Sequence, residues 1–248
     1  MKSRGRFPGT RPKNTKAREF KPRSAAAGFS LVDLFIGMAV LAILAAVFIP
    51  MLVIHGRESR LAVCLSNLKT VNGAVLQFSQ DHEQLLPTME GSPAPGGWWY
   101  YKDKVKGYVG LNGPSSPDDR VFGCPDDRGY GEGAEAVTPF RRSKKHNYTS
   151  YVFNGVNLPG IPNIAGRKVD SISHPERTLL VMEWTAHAPL SWHRSRTGQS
   201  NTPFYTDAES VVGYVDGHVA LTRIYYDGLN AAYTRDPAPG YQYKYSGE

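Results

Sequence analysis

The sequence predicts an α+β protein in which one long N-terminal helix, half membrane-embedded and half amphipathic, packs on an antiparallel β-sheet head. Three observations carry that expectation. Residues 29–54, FSLVDLFIGMAVLAILAAVFIPMLVI, form an apolar run with a single charge, Asp33. Behind it Leu61, Cys64, Leu65, Leu68, Val71, Val75 and Phe78 recur every three or four residues, the spacing of one helix face. Toward the C-terminus, short apolar segments alternate with turn residues, and Asp216-Gly217 separates the last two.

The first element is a basic leader. The net charge of +7 is concentrated in residues 1–28, where nine Lys/Arg face Glu19 alone, leaving 20 basic against 21 acidic residues in the rest. A basic arm followed directly by an apolar run reads as the cytoplasmic flank of a membrane helix, so no nucleic-acid partner is expected. As a helix, residues 29–54 would extend about 39 Å, enough to cross a hydrocarbon core of roughly 30 Å. A secretory signal would have a shorter apolar stretch followed by small residues. Here Ala25, Ala26 and Ala27 precede the run, on the wrong side for removing it. A plain anchor accounts for the length but not for Asp33, since a lone carboxylate at the centre of a membrane helix costs about 2.5–3.5 kcal/mol. Ser30-x-x-Asp33 also has the form of a capping box.

Gly28-Phe29-Ser30-Leu31-Val32-Asp33-Leu34 resembles the start of type IV prepilins and type II secretion pseudopilins, in which Gly, Phe, Thr or Ser, Leu and Glu open an apolar helix. The resemblance implies a pilin-like fold. It also implies that prepilin peptidase, a membrane aspartyl enzyme, cuts between Gly28 and Phe29 and that the new terminal Phe29 is N-methylated. Asp33 would then be the fifth mature residue, where the family acid neutralises the terminal amine during assembly with other pilin subunits; Asp is shorter than the family's Glu by one methylene. Pro50 stands where many pilins carry a helix-bending proline. The expected localisation is the bacterial inner membrane, single-pass, with the N-terminus cytoplasmic and the head periplasmic, in contact with inner-membrane lipid. The expected role is a non-enzymatic structural subunit of a pseudopilus or type IV pilus-like assembly. The alternative is a membrane-anchored extracytoplasmic binding protein or metal-dependent enzyme.

Residues 60–70, Cys124-Pro125-Asp126-Asp127 and Asp216-Gly217-His218-Val219 resemble segments of a poorly characterised pseudopilin-like bacterial family. That family often places a His about ten residues before the Asp-Gly pair. The nearest earlier one here is His193, so either an insertion intervenes or the feature is absent.

Four parts are therefore expected: a leader, 1–28; the membrane and assembly half of the helix, 29–54; its amphipathic half, 55–84, ending between residues 82 and 87; and the α+β head, 85–248. Within the head, residues 91–97 (GSPAPGG) and 113–117 (GPSSP) read as loops. Strands are expected around 152–153 and over 178–184, 210–215 and 218–226. The last two would be joined by a two-residue hairpin in which Asp216 and Gly217 both take positive φ. The Tyr-, Pro- and Gly-rich tail after Gly228 either wraps the surface or stays mobile.

Candidate chemistry is sparse. Outside the cytoplasm Cys64 and Cys124 would form a disulfide worth about 4 kcal/mol in the chain-entropy model, against the alternative of two separate thiols. Related secretion pseudopilins bind calcium in a loop, which singles out Asp126 and Asp127, near Asp118 and Asp119, as hard oxygen donors without EF-hand spacing. Glu183, His187, His193 and His218, with Asp216, supply zinc-type donors at spacings that match no strong zinc motif. The Trp98-Trp99-Tyr100-Tyr101 cluster reads as core and sheet-edge packing ahead of a surface for a partner or glycan. No Gly-x-Ser-x-Gly nucleophile elbow is present, and no other cofactor is expected.

Overall fold

The computed structural model describes residues 30–91, 97–129, 138–187, 191–193, 208–225 and 236–248. The leader and the expected cut site, Gly28 and Phe29, lie outside them. The chain divides into two compact units, Met1–Ile49 and Pro50–Glu248.

In the first unit, helix α1 (Leu31–Asp81) begins immediately after Ser30. The Ser30 N–H donates to Asp33 Oδ2 at 2.9 Å and the Asp33 N–H donates to Ser30 Oγ at 3.2 Å, so the capping box is formed. Each side chain satisfies a backbone donor that the helix start leaves without a helical acceptor. The large hydrophobic residues from Leu31 onward are exposed; Leu41, for example, is 66% exposed. The helix is long and apolar enough to cross a membrane.

In the second unit α1 runs on through Pro50 to Asp81. It stops because Glu83 and Gln84 take φ of 54° and 66°, outside the right-handed helical region. The predicted stripe becomes the contact face. Cys64, Leu68, Val71 and Val75 are fully buried, with Leu61, Leu65 and Phe78 packed at the margin.

The head is built on a four-stranded antiparallel sheet of β1 (Tyr151–Phe153), β2 (Leu179–Glu183), β3 (Glu209–Tyr214) and β4 (Val219–Arg223), in the order β1-β2-β3-β4. β2 and β4 fall within the segments predicted for them, while β1 and β3 each begin one residue earlier, at Tyr151 and Glu209. Strand side chains alternate between faces. Tyr151 and Phe153 therefore join Val181 and Val211 against the buried stripe of α1, whereas Val152, Met182 and Val212 face the other way. That second face is covered by the C-terminal tail, which buries Tyr243 and Tyr245. The tail is also tied in by its backbone, with Leu179 N–H donating to Lys244 O and Lys244 N–H donating to Arg177 O. The sheet is thus a middle layer, which explains why β1 and β2 are buried along their whole length.

The hairpin differs from its prediction. Residues 215–218 separate β3 from β4; Tyr214 N–H donates to His218 O, so three residues, 215–217, lie inside the closing pair, Gly217 N–H donates to Tyr214 O, and only Gly217, at φ 93°, is left-handed. Asp216 stays at negative φ, because a three-residue loop of this kind closes with one left-handed residue at its end. Gly213, in β3, has a different task. A Cβ there would collide with the Asn72 side chain of α1, whose Nδ2 donates to Tyr214 O at 2.9 Å. The missing side chain lets helix and sheet approach closely.

Before the sheet, the short helix α2 (Tyr101–Val105) carries Lys102 into the interior. Its ammonium, fully buried, lies 2.9 Å from Asp119 Oδ2 and donates to the Asn147 and Tyr148 carbonyls. Burial pulls the lysine below its ordinary pKa, and Asp119 opposes that pull. Nothing in the sequence pattern sets this lysine apart from Lys104 and Lys106 of the same segment.

Candidate functional site

A cluster of charged side chains and the two cysteines is assembled by α1, the loop after residue 120, β2 and the segment ahead of β3. Helix periodicity places Cys64 on the buried stripe. The same helix holds the Cys124 loop, because Asn67 Nδ2 donates to Gly123 O at 2.9 Å and to Arg120 O at 3.3 Å. Ser150 Oγ accepts from the Cys124 N–H at 2.9 Å. With their Cα atoms 4.8 Å apart, Cys64 and Cys124 are joined in a disulfide, and both are fully buried.

Glu183 reaches this point by strand alternation. It pairs with Tyr151 in the ladder and shares the helix-facing side with Val181, so a carboxylate enters a face that is otherwise apolar. It is completely buried, and its Oε2 accepts the Val211 N–H at 2.9 Å. Its Oε1 lies 2.8 Å from His193 Nε2. The other ring nitrogen, Nδ1, lies 3.2 Å from Asp126 Oδ2, and Asp126 Oδ1 accepts from Arg60 Nε at 2.6 Å. His193 Nε2 is also 3.8 Å from Cys124 Sγ.

The result is a row of alternating charge, Arg60–Asp126–His193–Glu183, ending against the disulfide. Burial by itself would lower the His193 pKa, but the two flanking carboxylates outweigh it and raise the ring to about 9. The imidazolium therefore donates from both nitrogens at neutral pH. Burial likewise pushes Asp126 upward, and His193 together with Arg60 reverses this, holding its carboxyl below the usual range. A buried charge left without its partner is costly, so Glu183 and His193 depend on one another and on Asp126, while the more exposed Arg60 closes the row.

The remaining sequence candidates scatter. Asp127 turns away from Asp126: its Oδ1 accepts from Gly129 N–H at 2.7 Å and its Oδ2 from Arg141 N–H and Ser150 Oγ. The two carboxylates proposed for calcium are thus engaged by protein donors on opposite errands, Asp127 fastening its own loop and Asp126 bridging Arg60 to His193. Asp119 is spent on Lys102. His218 forms its own pair with Asp216 in the β3–β4 turn, at 2.6 Å, with its ring stacked on Tyr214. The His187 side chain lies outside the described part. Trp99 packs against Phe140 and His146, and Trp98 edges onto Trp99, half-buried.

In the sequence Glu183 and His193 stand among zinc-type donors with His187, His218 and Asp216, and nothing there joins them to the cysteines or to Arg60. The usable signals were Cys124-Pro125-Asp126 and the isolated His193 ahead of Asp216-Gly217. These two segments, 69 residues apart at Cys124 and His193, meet in space. Comparisons of the chain with protein-family models, with curated proteins and with solved structures give no match.

Proposed function

We propose that the chain is a structural, non-catalytic subunit of a pseudopilus or type IV pilus-like assembly, anchored by the apolar half of α1 in the bacterial inner membrane, with its head on the extracytoplasmic side. Cleavage between Gly28 and Phe29 by prepilin peptidase would release the basic leader and leave a methylated Phe29 at the terminus. The observation that carries this reading is the character of the first unit: an exposed apolar helix that opens on a Ser30–Asp33 capping box, with its one carboxylate a single turn from the expected new terminus. A terminal ammonium and a carboxylate so placed neutralise each other, within one chain or between neighbours, and two charges too costly for lipid become one pair. The disulfide supports the extracytoplasmic placement, since such bonds persist in oxidising compartments.

The test is Asp33→Ala in the native host. Leader removal should continue, because Gly28 and Phe29 are unchanged, while recovery of the variant in sheared filaments or in cross-linked subunit ladders should fall at least tenfold. Undiminished incorporation would reduce Asp33 to a helix cap and remove the electrostatic basis of the proposal.

A further inference from the structure

The cluster at the end of the charged row has a composition that neither a disulfide nor an assembly role requires. Cys64 Sγ, Cys124 Sγ, a Glu183 carboxylate oxygen and a His193 ring nitrogen, from four separate segments, all lie within 4.8 Å of one another. We propose that, when Cys64 and Cys124 are reduced, these four side chains bind one zinc-class divalent cation, and that formation of the disulfide excludes it.

The donor set selects the metal. Two thiolates and an imidazole suit zinc and its close analogues, and are poor ligands for calcium or magnesium. Four ligands with no water position describe a structural centre rather than a catalytic one. The geometry is close to what such an ion needs: at Zn–S of about 2.3 Å and Zn–N of about 2.0–2.1 Å, tetrahedral placement sets sulfur and nitrogen about 3.6 Å apart. Cys124 Sγ and His193 Nε2 stand at 3.8 Å. Binding then asks three adjustments: the sulfurs part to about 3.8 Å after their bond is broken, Glu183 Oε1 and His193 Nε2 open from 2.8 Å to about 3.3 Å, and the widest donor pair, now within 4.8 Å, draws in to a similar spacing.

The outer groups are arranged as second-shell support. Metal-bound histidines ordinarily give their other ring N–H to a carboxylate, which fixes tautomer and orientation. Here His193 Nδ1 faces Asp126, and Asp126 is itself held by Arg60. Glu183 is oriented in the same manner, with Oε2 held by the Val211 amide and Oε1 turned to the site. A purely structural disulfide gains nothing from a buried Glu–His pair beside it, and burying those charges is expensive. As ligands, both have a reason to be there.

The exchange balances simply. A dithiol gives two electrons and two protons to the Cys64–Cys124 bond and becomes a disulfide itself, leaving two thiols. The entering dication displaces both thiol protons and the proton on His193 Nε2. Oxidation by a disulfide partner runs the sequence backward and expels the ion.

The test uses the full chain in detergent micelles, reduced and metal-free, titrated with cobalt(II) and then zinc(II). The expected result is one cobalt per chain, with the intense visible bands of a tetrahedral centre and thiolate-to-cobalt charge transfer in the near ultraviolet, all erased by one equivalent of zinc. The oxidised chain should show neither band. Glu183→Gln should weaken cobalt binding at least tenfold, and Asp126→Asn, which keeps all four ligands, about tenfold through loss of second-shell support. Should reduction unfold the head, zinc is expected to restore its near-ultraviolet circular dichroism. No thiolate charge-transfer band in the folded reduced chain, failure of zinc to restore an unfolded one, or affinity unchanged in both variants would overturn the proposal.

Discussion

The two halves of α1 are one helix by backbone and two different objects by side chain. From Leu31 to Ile54 large apolar residues point in every direction and are exposed, whereas from Leu61 onward they collapse to one stripe, where Leu68 is fully buried and Val63, off the stripe, is 43% exposed. A helix apolar on all sides is made for an apolar surrounding; one apolar on a single face is made to meet a partner surface. The change occurs within a few residues, around His55, Arg57, Glu58 and Arg60. One secondary structure thus presents two kinds of surface, and mutations in the two halves should be felt by different assays.

The sharpest contrast concerns the disulfide, which ties the second half of the helix to the head across 60 residues of chain. Replacing both cysteines with serine should lower the stability of the oxidised head by about 4 kcal/mol in the chain-entropy model, read as a shift in the denaturation midpoint, with no change in membrane fractionation. Leu68→Ala follows, with a cost of about 3 kcal/mol for a fully buried leucine, while Leu41→Ala, equally apolar, should leave head stability unchanged. Equal effects would abolish the distinction between the halves. Gly213→Ala comes next, at about 1–3 kcal/mol, because its methyl must push Asn72 and the helix off the sheet.

The smallest expected effect is on pH. His146, half-buried against Trp99 and Phe140, is held down to about 4 by burial and then by neighbouring Lys145. A histidine with a lowered folded-state pKa binds fewer protons folded than unfolded, so its contribution is complete above about 6.5 and declines as pH falls toward 4. Asp119, held below the ordinary carboxylate range by Lys102 against the opposing effect of burial, gives way further into acid. Head stability should therefore decline from about pH 6.5 downward, and His146→Phe should flatten the first part of that decline.

Much of this architecture is legible in the residue pattern. The period of the apolar residues locates α1 and the face it buries, and short β-rich segments between turns locate all four strands, because both signals are local. The second face of the sheet is different. Val152, Met182 and Val212 announce that something covers them, but alternation does not say what, and the Tyr-rich tail carries no periodic signature of its own. The hairpin is not legible at this level, because Asp-Gly fits two loop lengths and the register Gly213↔Val219 decides between them. The cluster lay deeper still. Glu183 is the last residue of an apolar strand, and its meeting with His193 and both cysteines depends on helix, sheet and loop packing at once.

The account rests on the apolar half of α1 being the freed start of a mature subunit. Intact-mass and N-terminal peptide spectra of the protein recovered from its native membrane test this directly. A chain beginning at Phe29 and carrying one methyl group on its amine is the expected result. A chain that retains Lys2 through Gly28 would contradict the account and leave the head as a tethered domain.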